Sequence, residues 1–246
     1  MINFNLEDIK DNSLNLSQAK IIVRLIQNMI HVPKGEVKVN REDVKTFLGT
    51  LVREANPRTI IIESDYYIGK YPITREEWSV VMGKENDPSD YKVQDENLPV
   101  YNVTYEDCLR FIIKLNRITG LNFSLPSSEQ WDFAAHGGNG GTYSFQGKNK
   151  EEIYNLAWFE TNEPMPVGSK APNPIGLYDV FGNIGELCIK DDIGDIVKGG
   201  NIVSMRYNDS PYTYHYEDYW TEDDREKRFG YVVKLPHGLR LVLNDN

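Results

Sequence analysis

The stretch Pro172-Asn173-Pro174-Ile175-Gly176-Leu177-Tyr178-Asp179-Val180-Phe181-Gly182-Asn183-Ile184-Gly185-Glu186-Leu187-Cys188 is too rich in glycine and proline for a helix interior and too regularly patterned for an idle loop. Gly176, Gly182 and Gly185 stand where a backbone can turn left-handed or approach another segment closely. Leu177, Tyr178, Val180, Phe181, Ile184 and Leu187 supply apolar anchors between them. Asn183 and Glu186 place two oxygen-bearing side chains three residues apart, a donor set that suits a structural hard cation such as calcium. The alternative is that they cap turns and bind nothing.

Working outward, the flanking segments carry capping and periodicity signals. Residues 1–15 are polar and read as a loose arm, followed by an amphipathic helix over 17–30 with Ser17 as its N-cap and Ile21, Ile22, Leu25, Ile26 and Met29 at helical spacing. Residues 31–39 alternate like one short strand, 40–57 carry a second helical pattern ended by Asn56-Pro57, and the β-branched run from Thr59 reads as strand. Thr74 with Glu77, Thr104 with Asp107 and Ser127 with Gln130 each have the spacing of a capping box that opens a helix. Cys108, Phe111, Ile112 and Leu115 form a buried stripe, in which Cys108 is a small core residue and not a nucleophile. Predicted elements of both kinds, separated by long loops, make this an α+β chain with little regular secondary structure.

Several motifs in order resemble one family. Pro172-Asn173-x-x-Gly176-Leu177-Tyr178-Asp179-x-x-Gly182-Asn183-x-x-Glu186 resembles the signature of the formylglycine-generating enzyme / sulfatase-modifying factor family, whose core is a variant of the C-type lectin fold. Tyr67 to Trp78, Leu98 to Leu109, Leu121 to Gly138, Ile196 to Asn201 and His237 to Leu243 resemble further family segments in sequence order. The resemblance covers about residues 29–243, which divides the chain into an arm and helix at 1–28 and a lectin-like domain at 29–246. Departures from the pattern are Ser124 and His136 for two arginines, Lys198 for another, and Gly185 and Leu187 for two tryptophans. Asn155 matches an asparagine that helps hold calcium in the family's enzymes, although the carboxylate completing that site has no counterpart here.

The resemblance also implies where chemistry would sit. The family's oxidases hold copper through two cysteines a few residues past the Gly-Gly pair, and the matching positions here are Ser204 and Asp209. Neither is the soft donor that copper(I) requires, so no copper is expected. Around them runs a segment crowded with Arg206, Tyr207, Asn208, Asp209, Tyr212, Tyr214, Tyr216, Tyr219 and Trp220. Rigid aromatic rings interleaved with adaptable polar groups are the vocabulary of a recognition surface. These residues are expected to contact a protein or carbohydrate ligand, and a core-covering loop is the alternative. A branch of the family serves as variable receptors of diversity-generating retroelements, with variation in the matching region. Against the binding module stand a family-type oxidase with relocated chemistry and a regulatory paralogue of one.

Bulk properties narrow the partners. A formal net charge of −10 leaves no basic field for nucleic acid or an anionic membrane. Two cysteines, Cys108 and Cys188, make no disulfide framework. No basic-then-apolar leader and no run of transmembrane length is present, so the sequence as written is expected to be cytoplasmic, or secreted if a leader has been removed.

Overall fold

The computed structural model describes residues 2–39, 58–91, 94–139, 154–159, 161–192, 194–200, 214–215 and 237–244. The helical pattern read over 40–57 lies outside them. Helix and sheet are both present in short pieces joined by long loops, the α+β arrangement expected.

Each main helix starts on a reciprocal cap. Helix α1 (Leu16–Gln27) begins at Asn15, whose side chain accepts the Gln18 N–H while the Gln18 side-chain Oε1 accepts the Asn15 N–H, both at 3.0 Å. The cap is therefore Asn15 and not Ser17, because only Asn15 has an acceptor side chain three residues on. Thr74–Glu77 opens α2 (Arg75–Met82), Thr104–Asp107 opens α3 (Tyr105–Thr119) and Ser127–Gln130 opens α4 (Ser128–Ala135), as their spacing predicts. Helix α3 ends on Gly120 in the left-handed conformation, φ 72°.

The segment read as one strand over 31–39 is two. Strand β1 (Met29–Val32) stops at Pro33, which has no N–H to give a ladder, and β2 (Gly35–Val39) follows after Lys34 donates its N–H to Asp65 at 2.9 Å. Strand β2 pairs antiparallel with β3 (Arg58–Ile62) as a separate two-stranded sheet. A four-stranded antiparallel sheet has the order β1, β4 (Tyr66–Gly69), β10 (Val242–Asn244), β5 (Phe123–Ser124). A second four-stranded sheet has the order β8 (Tyr214–His215), β7 (Ile196–Lys198), β6 (Gly185–Leu187), β9 (His237–Leu239), with β6 and β9 parallel.

Two apolar clusters hold these layers together. One joins α1, α2 and α3 through Ile22, Ile26, Trp78, Phe111 and Leu115, with the Trp78 and Phe111 rings stacked at 5.1 Å and 8°. The arm is part of it: Phe4 is buried and the Lys10 N–H donates to the Ile118 carbonyl at 2.7 Å. The expected loose arm is thus a packed one, and α1 shares the core of the rest. The other cluster packs α4 against β2, β3 and the glycine-rich stretch through Trp131, Phe133, Leu177 and Phe181.

Truncating Phe111 to Ala should cost about 3–5 kcal/mol in urea unfolding, since a stacked, fully buried ring leaves a cavity. Thr104→Ala, which removes only a cap, should cost about 1 kcal/mol.

Candidate functional site

Adjacent strands β6 and β7 carry Glu186 directly opposite Lys198, and successive residues of α4 reach both. The Trp131 indole N–H donates to Glu186 Oε2 at 2.6 Å, and Asp132 Oδ2 lies 3.0 Å from Lys198 Nζ. Arg240, between β9 and β10, closes the group. Its Nε donates to Glu186 Oε2 at 2.9 Å and its Nη2 to Glu186 Oε1 at 2.6 Å. The remaining donors go to the carbonyls of Gly69, Lys70 and Tyr178 at 2.8–3.0 Å. All five guanidinium N–H groups are therefore used, at a residue only 1% exposed. Two cations and two carboxylates are buried here as oppositely charged pairs, which offsets the cost of taking them out of water.

The glycine-rich stretch wraps around this group. Asn173 donates to the Ala134 carbonyl at 2.8 Å and accepts from the Leu177 N–H at 2.9 Å, fastening the loop to the end of α4. Asn183, left-handed at φ 59°, holds both backbone groups of Met165 with its amide, accepting the N–H at 2.8 Å and donating to the carbonyl at 3.0 Å. Gly199, at φ 86°, turns the chain out of β7, and a Cβ there would stand 2.6 Å from the Val180 carbonyl oxygen. Its own carbonyl accepts the Gly182 N–H at 2.9 Å. The point at which the chain leaves the sheet toward residue 201 is thus fixed by backbone contacts on both sides.

Asp179 sits in the same loop at φ 53° and is 3% exposed. Its Oδ2 accepts the Gly168 N–H at 2.6 Å, while Oδ1 is buried without a hydrogen-bond partner among the described residues. Burial is the main cause that pushes its carboxyl up to about 6; the Gly168 N–H and Arg240 oppose the rise.

The residues nominated for calcium do not fit that ion. Both Glu186 oxygens already accept from Arg240 and Trp131, so a divalent cation would have to displace a guanidinium from a buried carboxylate. Asn183 turns its oxygen to a backbone N–H instead. Asn155 is exposed, and the segment that carries it joins the loop through Trp158, whose carbonyl accepts the Asn183 N–H at 2.8 Å. No contact brings the three side chains to one point among the described residues. Of the nominated ligand-binding residues, Arg206, Tyr207, Asn208, Asp209, Tyr212, Tyr216, Tyr219 and Trp220 lie outside the described residues, as does Ser204. Tyr214 is placed by its backbone alone, in β8 opposite Val197.

Cys108 and Cys188, the two cysteines of the chain, are both fully buried. Burial raises both thiols above their ordinary range, so neither offers a thiolate near neutrality. Among the described residues, none gathers three or more His, Cys, Asp or Glu side chains into a metal-binding group.

Residues 18–242 match the sulfatase-modifying factor enzyme 1-like domain family. The chain belongs to that family. The match starts inside α1, so the family region takes in the helix that the motifs alone left out. Solved structures share its fold: Treponema denticola variable protein 1 (TM-score 0.64, 20% identity, covering 88% of this chain and 95% of that one) and PvdO from Pseudomonas aeruginosa (0.63, 16%, 88% and 94%). CarF is a further one (0.59, 17%, 89% and 98%). The chaperone protein LppX of Paenibacillus barcinonensis is 27% identical over 203 residues, covering 57% of this chain and 70% of the relative. No helix among the described residues is long and apolar enough to cross a membrane.

Within this sulfatase-modifying factor fold, sequence reasoning missed the partnership of Arg240 with Glu186. The signal was available: Glu186, Lys198 and Arg240 each interrupt an apolar run, and a charge in such a run needs an opposite partner. Arg240→Met or Glu186→Gln alone should each destabilise by about 3–5 kcal/mol in denaturant unfolding, while the double replacement Glu186→Met/Arg240→Met recovers part of that loss. Asp179 has the opposite sign. Its raised carboxyl means that its contribution is fully present below about pH 4 and is lost as pH rises through 6. Asp179→Asn keeps an acceptor for Gly168, and its advantage over the parent should grow from near zero at pH 4 to about 2–3 kcal/mol at pH 8, read from urea midpoints across that range.

Proposed function

We propose that this family member is a non-catalytic binding module that takes a protein or glycan ligand through the Tyr-, Asn- and Asp-rich segment at 206–220. The observation that carries the reading is the fate of its sulfur. Both cysteines are spent inside apolar clusters, and the positions matching the family's copper ligands are Ser204 and Asp209. Copper–thiolate oxidation needs soft, ionised donors, and a hydroxyl with a carboxylate supplies none. The fixed exit of the chain at Gly199 supports the same reading, since a recognition loop works best on a rigid base. Likeness of fold to the Treponema variable protein supports a variable-receptor role for this segment, and similarity to the Paenibacillus chaperone favours a protein ligand over a glycan.

With copper supplied and a cysteine-containing peptide as substrate, oxygen uptake should stay at the buffer rate; turnover would establish the oxidase reading instead. Tyr212→Ala/Tyr214→Ala/Tyr216→Ala should leave the melting temperature within a few degrees of the parent and weaken capture of a ligand found by glycan- or protein-array screening at least about tenfold. Resequencing the gene in sister isolates separates the variable receptor, with substitutions clustered in 201–224, from an ordinary paralogue with even drift.

A further inference from the structure

The turn that ends α4 delivers one side chain to β2. Gly137 and Gly138, left-handed at φ 90° and 73°, donate their N–H groups to the Ala134 and Phe133 carbonyls at 3.0 and 2.9 Å. The next residue, Asn139, is exposed, and its carboxamide makes two bonds across Gly35. Oδ1 accepts the Glu36 N–H at 3.1 Å, and Nδ2 donates to the Lys34 carbonyl at 3.0 Å. These are the bonds that a residue of a paired strand would make. The fit is close: a Cβ on Gly35 would stand 1.6 Å from Asn139 Oδ1. The side chain is therefore a clasp between the end of α4 and a strand residue 103 positions earlier.

Of all the asparagines in the chain, Asn139 alone precedes a glycine, Gly140. A residue without a Cβ leaves its backbone nitrogen open to the preceding side chain. We propose that Asn139 is a site of spontaneous deamidation, at which the clasp is lost irreversibly. The Gly140 nitrogen bonds to Asn139 Cγ, its proton passes through water to Nδ2, the Cγ–Nδ2 bond breaks and ammonia leaves. Water then opens the cyclic imide at either carbonyl, leaving aspartate or isoaspartate at position 139. The reaction needs no oxidant, reductant or enzyme. A carboxylate cannot donate, so it would meet the Lys34 carbonyl as a second acceptor and repel it. The intact clasp opposes the reaction, because Cγ is held toward Gly35 and both hydrogen bonds must break before the ring can close. Opening of this contact therefore sets the rate in the folded chain. The site is separate from the segment at 206–220, so it stands whether or not that segment binds a ligand.

The full chain is incubated at about pH 8, folded or in urea, and the peptide containing residue 139 is followed by mass spectrometry and isoaspartate assay. In urea, Asn139 should convert ahead of every other asparagine. It should react at least about tenfold faster there than in the folded chain, since two hydrogen bonds no longer restrain it. Gly35→Ala tests the clasp without altering Asn139 or Gly140. Its Cβ displaces the carboxamide, so the folded variant should react at a rate approaching that of the parent in urea. Equal rates for the two chains in urea, with a cooperative melt retained by the variant, show that it acts through the folded contact. Gly140→Ala should slow the reaction in urea at least about tenfold, through the added Cβ. Equal folded-state rates for the parent and Gly35→Ala overturn the proposal. So does a parent that reacts equally fast folded and in urea, or faster conversion of another asparagine in urea.

Discussion

Arg240 is the residue on which the separate parts of this molecule converge. Its guanidinium neutralises Glu186 and satisfies carbonyls at the end of β4 and in the glycine-rich loop, from a position between β9 and β10. Segments more than a hundred residues apart in sequence thus share one buried charge. Such a group is expensive to desolvate and is tolerated only when every donor finds an acceptor, as here. A merely apolar side chain could fill the space, but it could not hold three carbonyls and a carboxylate in one relative position. The guanidinium therefore specifies which loop meets which strand.

That junction sets the geometry of the strands beside it. Glu186 is fixed by Arg240 and Trp131, Lys198 by Asp132, and the strand carrying Lys198 ends one residue before the Gly199 turn. The side chains placed beside that turn, Glu186, Lys198 and Asp132, are engaged in buried ion pairs. Asp179 is the exception: a buried carboxylate with one oxygen unmatched, a local cost retained within an otherwise satisfied network.

Local chemistry was the most legible part of the sequence. The capping boxes at Thr74, Thr104 and Ser127 are complete within four residues, and the structure has all three. Asn15 obeys the same rule, and Ser17 fails it because residue 20 is a lysine. The glycine-rich motif indicated the fold family through its resemblance to that family's signature. What spacing could not convey was partnership at a distance. Asn183 and Glu186 have the oxygens of a cation site, and only the return of Arg240, 54 residues later, shows which cation Glu186 meets. The arm was misread for a related reason: its few apolar residues, Phe4 among them, find their pocket on helices that composition cannot place beside it.

Strand β10 lies between β4 and β5, with Val242 opposite both Ile68 and Ser124. Its two neighbours therefore leave the ribosome more than a hundred residues before it does. At ordinary translation speeds that interval is on the order of 10 s, during which both strands present unpaired edges. Arg240 arrives in the same late stretch, so Glu186 also waits for its counter-ion. The four-stranded sheet and the Glu186–Arg240 pair can therefore be completed only after the stretch carrying Arg240 and Val242 has been synthesised.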